Sequence, residues 1–241
     1  MLNNAVFILI LIFPLLGISA KKPIDISIEL GSNSDRETGD NTFHYFYYYQ
    51  NLFADNWYDF YQDDKTGEYH LHKANITVEK YYCDCRQDYA SGYSSERPSL
   101  LLIRGLKTKK KPVKTLVLPI ENITLEENHS FRFDKKTYTF RAEGTVRTDG
   151  HHDEYWYKVK DYKLYLSDGK NEQLMTTVEY FDGTSPDIVW VGDMDGDGKP
   201  DFVLRTATWY ENERLELYLS SIAGKGELFK LAGTAGYFRD C

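Results

Sequence analysis

Ile188-Val-Trp-Val-Gly-Asp-Met-Asp-Gly-Asp-Gly-Lys-Pro-Asp-Phe-Val-Leu204 holds four aspartates between two apolar runs. Ile188 to Val191 and Phe202 to Leu204 are β-branched and aromatic, the composition of buried strands. Pro200 disfavours a helix across the exit. The stretch therefore reads as strand, loop, strand. Within the loop, Asp193, Asp195 and Asp197 occupy positions 1, 3 and 5, and Gly198 falls at position 6, where the backbone needs a positive φ. The Lys199 carbonyl stands at position 7 and Asp201 at position 9. Calcium takes about six to eight oxygen ligands at about 2.3–2.6 Å, and alternating aspartates supply them from one short loop. Position 12, the bidentate glutamate of an EF-hand, is Leu204, so Asp201 must close the sphere itself. Four aspartates this close repel one another strongly without a cation.

Outward from the loop, short strand-type runs recur between turn signals. Ile24 to Leu30, His70 to Tyr82, Ser99 to Arg104, Val113 to Ile120, Ser130 to Phe133 and Thr137 to Val146 all read as strands. Lys107 to Lys111 reads as a solvated basic turn, and Asp134 to Lys136 as a second turn. Tyr155 to Leu166 alternates, with a bulge expected near Asp161. Ser167-Asp-Gly-Lys170 is a hairpin turn returning into Leu174 to Phe181. Phe202 to Trp209 and Arg214 to Ser220 form another hairpin. The fold class is thus mostly β, antiparallel, with one strand–calcium loop–strand unit. A helix is one reading of residues 41–61, where Phe46, Tyr49, Phe53, Trp57 and Phe60 recur at helical spacing, while Tyr45 to Tyr49 would equally suit a strand. The Gly, Ser and Pro residues of 89–98 mark a candidate subdomain join within an otherwise single domain, residues 21–241.

The run Val191-Gly-Asp-Met-Asp-Gly-Asp-Gly-Lys-Pro-Asp-Phe-Val203 resembles the FG-GAP repeat motif of the integrin α and VCBS type. That resemblance implies calcium ligation by Asp193, Asp195, Asp197 and Asp201. The family builds β-propellers from several such repeats. This sequence carries one, so no propeller is implied. The chain also resembles bacterial secreted proteins with a single such loop near the C-terminus and a final Cys, a likeness that implies no activity.

Ala5 to Ile18 is apolar, shorter than a membrane span, and followed by Ser19-Ala20, which reads as a secretory signal peptide over residues 1–20. The mature chain is then secreted, with no transmembrane segment. Export puts Cys83, Cys85 and Cys241 in an oxidising compartment, where one bridge from Cys241 to Cys83 or Cys85 is expected and one thiol is left over. A net charge of −8 argues against nucleic acid. Twenty tyrosines suit half-exposed strand faces and ligand-facing surfaces. His70 and His72 on one strand face, with Cys83 and Cys85, have zinc-type chemistry, but oxidation of the thiols is the stronger expectation. His151-His-Asp-Glu154 reads as a solvated turn. Three Asn-x-Ser/Thr sequons, at Asn75, Asn122 and Asn128, matter only in a eukaryotic route. The function expected is a non-enzymatic calcium-binding β-protein with a structural or surface-binding role toward an extracellular protein or glycan. The alternative is a secreted hydrolase with a calcium-stabilised fold, marked by a deep pocket of convergent acids or histidines away from the loop.

Overall fold

Phe202, Val203 and Leu204 are all buried, so the strand that leaves the acidic loop has no solvent face. Side chains alternate across a strand, and burial of both parities requires a layer on each side. The computed structural model, which describes residues 26–30, 43–45, 53, 56–84, 87–106, 112–118, 122–148, 154–210 and 212–238, has those two layers. The middle sheet has the order β16 (Lys230–Phe238), β15 (Asn212–Leu219), β14 (Asp201–Arg205), β13 (Asp187–Asp193), β8 (Lys114–Leu116). Val203, Trp190, Leu215, Leu217 and Leu219 face one core. Phe202, Leu204, Val191 and Tyr218 face the other.

The first core is closed by a sheet of β1 (Ser27–Leu30), β7 (Ser99–Arg104), β3 (Trp57–Gln62) and β4 (Tyr69–Lys73), through Ile28, Leu101, Ile103, Phe60 and Leu71. Phe60 meets Trp190 edge to face at 5.0 Å. A three-stranded sheet of β2 (Phe43–Tyr45), β6 (Asp88–Ser95) and β5 (Ile76–Cys83) adds Tyr93 to the same core. The second core is closed by β12 (Glu172–Tyr180), β11 (Val159–Ser167), β10 (Lys136–Val146) and β9 (His129–Phe133). Phe131, Phe140 and Phe202 form its aromatic centre. All strand pairs between these elements are antiparallel. Among the described residues no helix is long and apolar enough to cross a membrane.

Strand replaces the helix reading at both ends of 41–61, and residues 46–52 and 54–55 lie outside the described residues. Phe43–Tyr45 and Trp57–Gln62 are strands, and Asn56 enters the second with φ 74°, a conformation no right-handed helix contains. The aromatic spacing misled because β3 is buried on both faces. Phe60 lies in the core, and Asp59 on the opposite face is equally buried beneath Arg97 and Ser99. The one helical element among the described residues is the short α1 (Tyr155–Lys158), ahead of β11, in residues whose alternation reads as strand. The bulge near Asp161 is present, with φ 52° at that residue and a register shift opposite it in β10. The signal segment, the basic run 107–111, the disulfide between Cys241 and Cys83 or Cys85, and His151 to Asp153 lie outside the described residues.

The Asp168 turn yields a pH prediction. Oδ1 of Asp168 accepts the amides of Lys170 and Asn171 at 2.9 and 2.7 Å, and Oδ2 accepts the Lys136 ammonium. Burial raises this carboxyl's pKa, but Lys136 and the two amides outweigh it and hold the group at about 2. A carboxylate with a depressed folded pKa contributes stability above its unfolded value near 3.8, and loses it as pH falls toward 2. Asp168→Asn keeps an acceptor for the turn but removes the charge. It should cost about 1 kcal/mol at pH 7 and almost nothing at pH 2, read as converging urea midpoints.

Candidate metal centre

Strand alternation runs on past the end of β13 and arranges the acidic loop. Met194 is 5% exposed and packs into the first core. Its neighbours Asp193 and Asp195 therefore turn to the other side, and Gly196 and Gly198, at φ 76° and 87°, fold the chain back so that Asp197 joins them. The return is closed by the antiparallel pairing of Gly192 with Asp201. Asp193, Asp195 and Asp197 each offer one oxygen, all within 4.8 Å of one another. Two oxygens sharing one calcium at about 2.3–2.6 Å lie no more than about 5.2 Å apart, so the spacing fits a common ion.

The donor inventory separates the carboxylates. Asp193 Oδ2 accepts the Gly198 amide at 3.0 Å, while Asp193 Oδ1 is buried and has no hydrogen-bond donor. Asp195 Oδ1 accepts the Asp197 amide at 3.2 Å, and Oδ2 accepts the Ser221 hydroxyl. Asp197 Oδ1 accepts the Lys199 amide at 2.8 Å, and both its oxygens lie 3.1 Å from the Ser220 hydroxyl, whose single proton they share with Asp201 Oδ1. Lys199 Nζ is 3.8 Å from Asp197 Oδ2, a half-solvated pair of little energetic weight.

Asp201 is placed differently. It is fully buried; Oδ2 accepts the Met194 amide at 2.8 Å, and Oδ1 accepts the Ser220 amide at 2.8 Å and its hydroxyl at 3.1 Å. It clasps the start of the loop to the end of β15. Burial, then the charge of Asp195, pushes its pKa up to about 8, against the pull of the Ser220 and Met194 donors. Burial also raises Asp195, with Asp197 and Asp193 adding to it, opposed by the Ser221 hydroxyl. Burial and neighbouring negative charge both disfavour the ionised forms of Asp195 and Asp201, and a cation beside them offsets both.

The structure thus gathers Asp193, Asp195 and Asp197, keeps the Lys199 backbone on the same loop, and puts Asp201 behind them as a clasp. Ser220 and Ser221 were not visible in sequence. They lie beyond the loop, and only the pairing of Phe202 with Tyr218 brings the β15 end alongside it. The signal that could have found them is the polar Ser-Ser pair closing the strand-type run Leu215-Glu-Leu-Tyr-Leu219. His70 and His72 sit together on β4, which pairs with β3, whereas the strand of Cys83 pairs with β6. No family model, curated protein or solved structure matches the chain.

Proposed function

We propose that this chain is an exported, non-enzymatic calcium-binding β-protein whose ion fastens the acidic loop to the β15–β16 hairpin. The single observation that carries the metal is Asp193 Oδ1, a buried carboxylate oxygen with no donor, set beside the oxygens of Asp195 and Asp197. Leaving such an atom unsatisfied costs more than an ordinary hydrogen bond returns, and a cation satisfies it. The all-oxygen donor set favours a hard ion. The FG-GAP-type pattern of Asp193, Asp195, Asp197, the Lys199 carbonyl and Asp201 points to calcium among hard ions. Asp201 has one donor on Oδ2, so that oxygen keeps a second lone pair for the ion while holding Met194. The role is structural because two of the gathered aspartates are tied to the end of β15, Asp197 through Ser220 and Asp195 through Ser221. An attachment function toward an extracellular protein or glycan rests on the export reading of residues 1–20.

A ligand that binds only the folded chain stabilises it by about 2.7 kcal/mol at a hundredfold excess over Kd. For a chain of this size that is a rise in Tm of about 5–10 °C. Thermal melting in calcium and in chelator should differ by that amount in the wild type. Asp195→Ala should remove most of the difference, and Asp187→Ala, which lies outside the loop, should retain it. Coincident wild-type curves would count against the proposal.

A further inference from the structure

The face of β4 opposite the core carries a second set of ligand-type groups, unrelated to the acidic loop. Leu71 points into the core, so His70 and His72 share the other face, their ring centroids 5.4 Å apart. Tyr61 of β3 pairs with His70 across the strands and lies 5.7 Å, centroid to centroid, from each imidazole. A cation bound at about 2.0–2.1 Å from a ring nitrogen stands about 3.2 Å from that ring's centre. Two rings 5.4 Å apart are close enough to share one cation, at a ligand angle near about 115° when both nitrogens are turned toward it.

Each ring has an oxygen near one of its nitrogens, within hydrogen-bond reach for His72 and at a longer ion-pair distance for His70, which leaves the other nitrogen for a metal. Tyr61 Oη lies 3.1 Å from His72 Nδ1, and Glu68 Oε2 lies 4.0 Å from His70 Nε2. Metal-binding histidines commonly direct their second nitrogen to such an oxygen, which selects the tautomer and orients the ring. The free positions are Nε2 of His72 and Nδ1 of His70. The nearby Arg97 cation is spoken for by Asp59 at 3.0 Å and Glu96 at 3.2 Å.

We propose that His70 and His72 chelate a borderline divalent transition cation, with Tyr61 and Glu68 as positioning residues and water completing the coordination. Two nitrogen donors exclude calcium and magnesium as preferred occupants, and affinity should run copper(II) above nickel(II) and zinc(II). The site is independent of the acidic loop, whose hard oxygens prefer the other class of ion.

The test is calorimetric titration of nickel(II) into the untagged chain, with millimolar calcium present to saturate any hard-ion site. One nickel per chain is expected. His70→Ala and His72→Ala should each weaken it by at least about tenfold, since even an outer-shell partner is worth about that much. Tyr61→Phe should weaken it by about tenfold or less, while His129→Ala should leave it unchanged. Copper(II) at one equivalent on the wild type gives a reading free of substitutions, with paramagnetic resonance expected to show two nitrogen ligands. Absence of nickel binding in the wild type, binding unaltered in both β4 variants, or a copper spectrum without two nitrogens would each overturn the assignment.

Discussion

Replacing Gly192 with alanine should destabilise the protein by about 3 kcal/mol, at the upper end of ordinary overpacking penalties. A Cβ at this position would fall inside contact distance of the Lys114 carbonyl oxygen and the Trp190 indole. Neither neighbour can move freely. Lys114 belongs to β8 and pairs with Asp193, so shifting its carbonyl breaks the sheet edge that holds the loop's first aspartate. Trp190 is 3% exposed, packs on Phe60, and donates its indole N–H to Thr115 Oγ1 at 3.1 Å. Gly198→Ala makes the informative contrast. Its Cβ would meet open space, and only the φ of 87° resists it, at about 1 kcal/mol. Chemical denaturation should therefore rank Gly192→Ala well below Gly198→Ala, and equal losses would mean the close approach at Gly192 is not what the site requires.

Arg97→Ala should have an effect of similar size, for a different reason. Asp59 is fully buried, with Oδ1 accepting the Ser99 hydroxyl at 2.6 Å and Oδ2 the Arg97 guanidinium at 3.0 Å. Removing the cation strands a buried carboxylate on one hydroxyl, a change that costs about 3–5 kcal/mol. For a chain of this length that lowers Tm by about 6–20 °C. Asp59→Asn in the Arg97→Ala background removes the stranded charge and should recover part of the loss. A double variant no more stable than Arg97→Ala would show that packing of the arginine over Tyr61, 5.6 Å from the ring, carries the effect instead.

Much of this architecture was readable in the sequence, wherever local signals were strong. The Ser167 to Lys170 turn, the bulge at Asp161 and the strands flanking the acidic loop follow from short-range chemistry, and they stand where the residues put them. The loop's gathering of Asp193, Asp195 and Asp197 was likewise legible, because alternation and two glycines act within nine residues. What escaped is non-local. Trp57 and Phe60 mimicked a helix because β3 buries an aromatic on each face, Phe60 against Trp190 and Trp57 against Phe53. β16, with Gly233, Ala235 and Gly236 along it, has too little apolar contrast to announce itself. The three-layer arrangement depends on Phe202 and Val203 facing different cores, and no spacing encodes which sheet meets which face. Ser220 and Ser221 reached the loop only through pairing across β14 and β15. The clasp made by Asp201 escaped for the same reason, since its amide partners Met194 and Ser220 are apparent only once the loop lies against the end of β15.

The central claim is that the three gathered aspartates hold one calcium ion. Calorimetric titration of calcium into the chelator-stripped chain tests it most directly, with Asp193→Ala measured alongside. In the absence of the ion Asp193→Ala removes both an unsatisfied buried oxygen and the acceptor for the Gly198 amide, so its stability in chelator should stay near that of the wild type. One ion per chain is expected in the wild type, with Kd of about 10⁻⁴–10⁻³ M as for extracellular calcium modules, and no measurable binding in Asp193→Ala. Absence of bound calcium in the wild type at millimolar concentration, or unchanged binding in Asp193→Ala, would contradict the account.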